Sequence, residues 1–158
     1  MMKKQFFVYP LFIALILMGC SAETASTVSN PQGISVSDPW GRASPSAANN
    51  GAFFMQLKNA GKTDQRLIGA DSPACEVAEL HQMTMDEGVM KMSPVAGGEI
   101  LLPTGETVML ESGGLHVMCI GKLQEFAPDA QLELTLHFAD AEDIVVSAEI
   151  RDIMADNK

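Results

Sequence analysis

Between residues 81 and 118 two of the chain's three histidines stand among a concentration of methionines. His81, Met83, Met85, Met90 and Met92 fall in HQMTMDEGVMKM, and His116 and Met118 in LHVM. Imidazole nitrogen and thioether sulfur together form a soft, uncharged donor set, and the metal that best suits such polarizable ligands is Cu(I). The spacing sharpens this chemistry. His116 and Met118 are two residues apart, as are His81 and Met83, and Met90 and Met92, so on extended backbone each pair points to one face of a strand. Leu115, Val117 and Cys119 then point the other way, into a core. With a turn at Asp86-Glu87-Gly88, two strands and a hairpin would bring the donors to one rim.

Methionine is also a common filler of irregular core gaps, and that reading competes for every one of these residues. Here, however, Met83, Met85, Met90 and Met92 alternate with Gln82, Thr84, Asp86, Glu87 and Lys91, a more polar context than a packed interior. Methionines kept near a surface imply a soft metal or an adaptable protein contact. Met109 lies between Val108 and Leu110 and reads as core, as do Trp40, Phe53 and Met55. In QLELTLHF, Leu132, Leu134, Leu136 and Phe138 alternate with polar residues, which puts His137 on the wet face and outside any metal site.

The histidine–methionine stretch resembles the PCu(A)C (DUF461) periplasmic copper chaperones, whose motif is a histidine, ten residues, a methionine, about twenty-one residues and a closing His-x-Met. Ten residues separate His81 from Met92 and His116-Val117-Met118 closes the motif, but twenty-three residues intervene between Met92 and His116. The two extra residues fall in the Pro103-Thr104-Gly105-Glu106 region, where a loop tolerates changes of length. The similarity runs on through DPWGRASP, GAFFMQLKN, GVMKMSPV, ESGGLHVM and LELTLHF, nearly the whole domain. It implies a cupredoxin-like β-sandwich and a Cu(I) site of His81, Met92, His116 and Met118. It also implies delivery toward the binuclear copper centre of cytochrome c oxidase, either to the oxidase copper subunit or through a Sco-type chaperone. From their own chemistry Met83, Met85 and Met90 are secondary candidates, either assisting capture or transfer or simply surrounding the site with apolar surface.

The elements that must position these donors read as all-β. From residue 34 short apolar runs alternate with Gly, Pro, Asn and Asp, and no segment sustains a helical period. Candidate strands are 34–37, 52–59, 66–70, 76–83, 89–92, 99–102, 107–110, 116–120, 131–138 and 143–149. So many short strands, mostly antiparallel, indicate a sandwich or barrel. The expected organisation is a leader over 1–19, a flexible linker over 20–33, a copper-binding domain over 34–150 and a polar tail over 151–158. Lys3 and Lys4 precede an apolar run too short for a comfortable membrane span, the layout of a secretory signal. Leu17-Met18-Gly19-Cys20 resembles a bacterial lipobox, which would acylate Cys20 and tether the domain in the cell envelope or periplasm. Ordinary cleavage near Ala22 is the alternative.

Ten Lys and Arg against twenty Asp and Glu give a net charge of −10, and removing Lys3 and Lys4 with the leader takes it to −12. Such acidity argues against nucleic acid as a partner. Cys75 and Cys119 in an exported chain suggest a disulfide, with buried small hydrophobes as the other reading. A Cys119 thiolate ligand is disfavoured by its parity opposite to His116. No nucleophile–base motif, phosphate-cradling glycine loop or carboxylate–histidine zinc motif is visible, so the expected role is a carrier and not an enzyme. Two other readings are a blue-copper electron carrier, which needs a His2Cys set, and a metal-independent β-sandwich that binds protein through its methionines.

Overall fold

A computed structural model describes residues 27–153. Eleven strands form the sandwich: β1 (Thr27–Ser29), β2 (Ile34–Arg42), β3 (Gly51–Asn59), β4 (Gln65–Asp71), β5 (Cys75–Asp86), β6 (Val89–Pro94), β7 (Ile100–Leu102), β8 (Thr107–Leu110), β9 (Leu115–Lys122), β10 (Gln131–Phe138) and β11 (Ile144–Arg151). The only helical element among the described residues is the short 3-10 turn Ala96–Gly98. The hydrogen-bonded path runs β6-β5-β9-β8-β3-β2-β11-β10-β4-β7, with β3 also pairing β9 and β1 pairing β2. It does not close, so β6 and β7 are edges. Pairing is antiparallel except for β2 with β11 and β8 with β9.

The expected all-β, cupredoxin-like sandwich is the observed architecture, and strand alternation explains its core. On β10 Leu132, Leu134, Leu136 and Phe138 are buried, and on β3 Phe53, Met55 and Leu57 turn inward to meet them with Phe126, Ile34, Val36 and Ile150. Gly51 permits that packing, because a Cβ there would stand 2.5 Å from the Phe126 ring. The Pro103–Glu106 region, where the sequence reading puts the two extra residues of the motif, is the turn between β7 and β8. Buried Asn59 ties it down by donating to the Leu102 carbonyl at 2.8 Å.

Several expectations are corrected. Part of the predicted linker is a strand: Thr27–Ser29 pairs antiparallel with Ser35–Ser37 of β2. All three of its residues are exposed, so backbone hydrogen bonds and no apolar pattern hold it. The polar tail begins later than expected, since Arg151 closes β11 and donates to Asp38 at 2.7 Å and to Glu149 at 3.1 Å. Trp40 is not core. A bulge at Asp38, where φ is 49°, shifts the β2 register between Ser37 and Trp40; Gly41 then faces the core and Trp40 the outside. Met109 is exposed as well, because it pairs with outward-facing Gln56 while Val108 and Leu110 pair with core residues Leu57 and Met55. The leader, Cys20 and the end of the tail lie outside the described residues.

Candidate metal centre

His81 on β5 and His116 on β9 stand directly opposite each other in the antiparallel ladder. Both are buried, at 9% and 3% exposed, and their ring centroids are 5.9 Å apart. The backbone reason is the alternation that buries Val117 and Cys119 on the inner face and leaves His116 and Met118 on the outer one. Met118 is half-buried and sits opposite Glu79, one step diagonally from His81.

Each imidazole has one nitrogen fixed by an oxygen. His81 Nε2 donates to Glu79 Oε2 at 3.1 Å, and His116 Nδ1 donates to the Gly114 carbonyl at 3.1 Å. In a neutral ring the other nitrogen then carries the lone pair, which leaves His81 Nδ1 and His116 Nε2 as acceptors. His81 Nδ1 is buried without a hydrogen-bond partner, a costly arrangement unless something else occupies the lone pair. Burial pushes the His116 pKa below the ordinary imidazole value and the neighbouring His81 pushes the same way, against the opposing hydrogen bond to Gly114. Both oxygen contacts are the kind that orient a metal-bound histidine from behind.

The second methionine of the set lies across the other neighbour. Pro94 on β6 faces His81, and Met92, two residues before it, faces Met83. Met92 is thus also a diagonal neighbour of His81, about 7–8 Å away in such a sheet and within reach of a long side chain. His81, His116 and Met118 form one compact group, whereas Met92 is 49% exposed on the hairpin at the opposite corner. Met83, Met85 and Met90 share its face, paired Met83 with Met92 and Met85 with Met90. The chain reverses through Glu87 and Gly88, whose φ values of 48° and 80° mark a type I′ turn.

Sequence reasoning missed the surroundings of this group. Phe54 lies 6.2 Å from the His116 ring, Trp40 stacks 4.5 Å from Phe54, and the Arg151 guanidinium lies 5.8 Å from the Trp40 ring. An aromatic wall, anchored by Arg151, therefore flanks the histidines. Glu79 and Gly114 were legible in principle, each two residues before a histidine on the same strand face. Cys75 and Cys119 form a disulfide with Cα atoms 5.4 Å apart, which ties β5 to β9. His137 is remote, on the other layer between Asp143 at 2.8 Å and Asp71 at 2.9 Å. Among the described residues no three His, Cys, Asp or Glu side chains gather into a metal cage.

Known proteins give the same outline. The apo PCuAC domain of PmoF1 superposes with a TM-score of 0.67 at 23% identity, over 80% of this chain and 99% of that domain. The copper-bound PCuAC domain of PmoF2 gives 0.66 at 22%, over 80% and 98%. The solution structure of CuI-DR1885 from Deinococcus radiodurans gives 0.56 at 24%, over 87% and 85%. In sequence the chain is 28% identical to "Putative lipoprotein Lxx21020" of Leifsonia xyli subsp. xyli (strain CTCB07), over 92% of this chain and 89% of that protein. The profile of one family spans residues 34–150, from the start of β2 to the penultimate residue of β11, and the chain belongs to that family, described as "Putative lipoprotein LpqE-like".

Proposed function

We propose that the protein carries Cu(I) in the cell envelope and passes it to an acceptor, with His81, Met92, His116 and Met118 as the donors. One observation carries the reading: two imidazoles face each other, each with one nitrogen tied to an oxygen, on the same strand face as two thioethers. Such a set suits a monovalent soft ion and calls for no anionic ligand. The copper-bound PmoF2 domain and the Cu(I) form of DR1885 share this fold and support copper as the cargo. A blue-copper electron carrier is disfavoured, because Cys119 is buried and bonded to Cys75 and leaves no thiolate on the donor face.

The chemistry is ligand exchange. Thioethers carry no proton to lose, so an acceptor richer in thiolate or imidazole can replace them one at a time. Met92, the most exposed of the four, is the first to yield. The buried histidine pair retains the ion while the methionines release it. Acylation of Cys20 would keep this exchange at a membrane surface, and the acceptor would be the copper subunit of cytochrome c oxidase or a Sco-type intermediary.

X-ray absorption on the Cu(I)-loaded protein tests the assignment. Mixed sulfur and nitrogen coordination is expected, with sulfur lost in Met118→Ala and in Met92→Ala. Spectra identical to wild type in both variants would remove these residues from the site.

A further inference from the structure

The β5–β6 hairpin is a two-faced arm. Beyond Gln82, which is the last β5 residue paired with β9, the only strand partner of β5 among the described residues is β6. One face carries Gln82, Thr84, Asp86, Val89, Lys91 and Ser93, while the other carries Met83, Met85, Met90 and Met92. The Met83 N–H donates to the Gly114 carbonyl on the β9 side, away from β6. Met83 and Met92 are therefore a non-hydrogen-bonded pair, the class in which cross-strand side chains lie closest, and Met85 with Met90, two residues on, belongs to the same class. These methionines are not core: Met85 is 66% exposed and Met90 45%.

We infer that this thioether face is a second Cu(I) site, built on the Met85–Met90 pair with Met83 beside it, which captures the ion and loads it onto the histidine pair. The inference rests on the copper-carrier reading above. Two facing thioethers, joined by a third from the same face, supply a two- or three-sulfur environment for Cu(I). Lacking imidazole and lying open to solvent, it holds the ion more loosely than the buried group. The sulfurs form a continuous track along the arm, from Met85 and Met90 through Met83 and Met92 to His81. The ion advances along it by exchanging one neutral ligand for the next, with no change of oxidation state and no proton released. Asp86 is paired with Lys91 on the opposite face, which leaves the Glu87 carboxylate at the tip, in a chain of net charge −10, to favour the arrival of a cation.

The test uses Cu(I) supplied as its bicinchoninate complex. Wild type is compared with Met85→Leu/Met90→Leu, which keeps the size and apolarity of the face, and with His81→Ala/His116→Ala. Wild type is expected to take up two equivalents, the second giving all-sulfur coordination by X-ray absorption. The leucine variant should retain the first, mixed nitrogen–sulfur site at unchanged affinity, lose the second, and load about tenfold more slowly. The alanine variant should keep the all-sulfur site alone. If the leucine variant binds and loads like wild type, the capture site is overturned and the carrier reading stands. If wild type never shows nitrogen coordination, the carrier reading itself fails. A slower transfer to an acceptor protein in the leucine variant, with uptake from bicinchoninate unchanged, would reassign the face to protein contact and would also overturn the capture site.

Discussion

At the scale of single residues, the protein separates two histidines by environment. His116 is buried beside another imidazole, and burial holds its pKa low. His137 also loses solvent, but its hydrogen bonds to Asp143 and Asp71 and their charges outweigh that loss and raise its pKa. A lowered pKa means that the neutral form, the one able to bind a metal, survives to more acidic pH. Copper retention attributed to His116 is therefore expected to hold below the usual imidazole range near 6.5 and to fail only as pH drops through the depressed value. Proton NMR titration of the apo protein checks the order directly: His116 should titrate below 6.5 and His137 above it. The reverse order would contradict the hydrogen-bond assignments on both rings. The pairing of His116 with Met118, and their separation from Val117 and Cys119, was legible from a spacing of two. The oxygen contacts to Glu79 and Gly114 lie outside the motif, which names donors and not the groups behind them.

At the scale of elements, alternation was a reliable guide wherever it was visible. QLELTLHF reads directly as β10 with a wet His137. The readings that failed did so for identifiable reasons. Val108-Met109-Leu110 is uniformly apolar, so the sequence offers no parity to read, and only the partner strand decides that Met109 faces out. Trp40 was misplaced by one positive φ at Asp38, which inverts the side-chain order of everything after it on β2. β1 carries no apolar signal at all. The hairpin, by contrast, was announced by Asp86-Glu87-Gly88, and its turn depends on Gly88 at φ 80° with open space around it. Gly88→Ala is expected to cost about 1 kcal/mol through backbone strain alone. Hydrogen exchange should show the loss as faster exchange in β6 with β10 unchanged; uniform acceleration across the sandwich would mean the arm is not an independent unit.

At the scale of the whole molecule, one sandwich core supports a site assembled from strands far apart in sequence. β5 and β9 are joined covalently as well as by their ladder, by a bridge with a sequence separation of 44. Chain-entropy reasoning assigns such a cross-link about 4 kcal/mol of stabilisation, exerted mainly on the unfolded chain. Cys75→Ser/Cys119→Ser should lower the denaturation free energy by roughly that amount, and a loss under about 1 kcal/mol would indicate that the β5–β9 contact is already fixed by packing.

The bridge also guards the alignment on which the donors depend. A slip of one residue between β5 and β9 would break the facing pair, and one that turned the β9 backbone over would swing His116 inward and leave Val117 in its place. Sulfur–sulfur bonds persist where thiols are oxidised, outside the cytoplasm. A newly made chain still in a reducing interior therefore has only its ladder and its packing to keep the imidazoles in line. For the exported carrier we propose, a full grip on the ion would be acquired upon arrival, in the compartment where such bonds form.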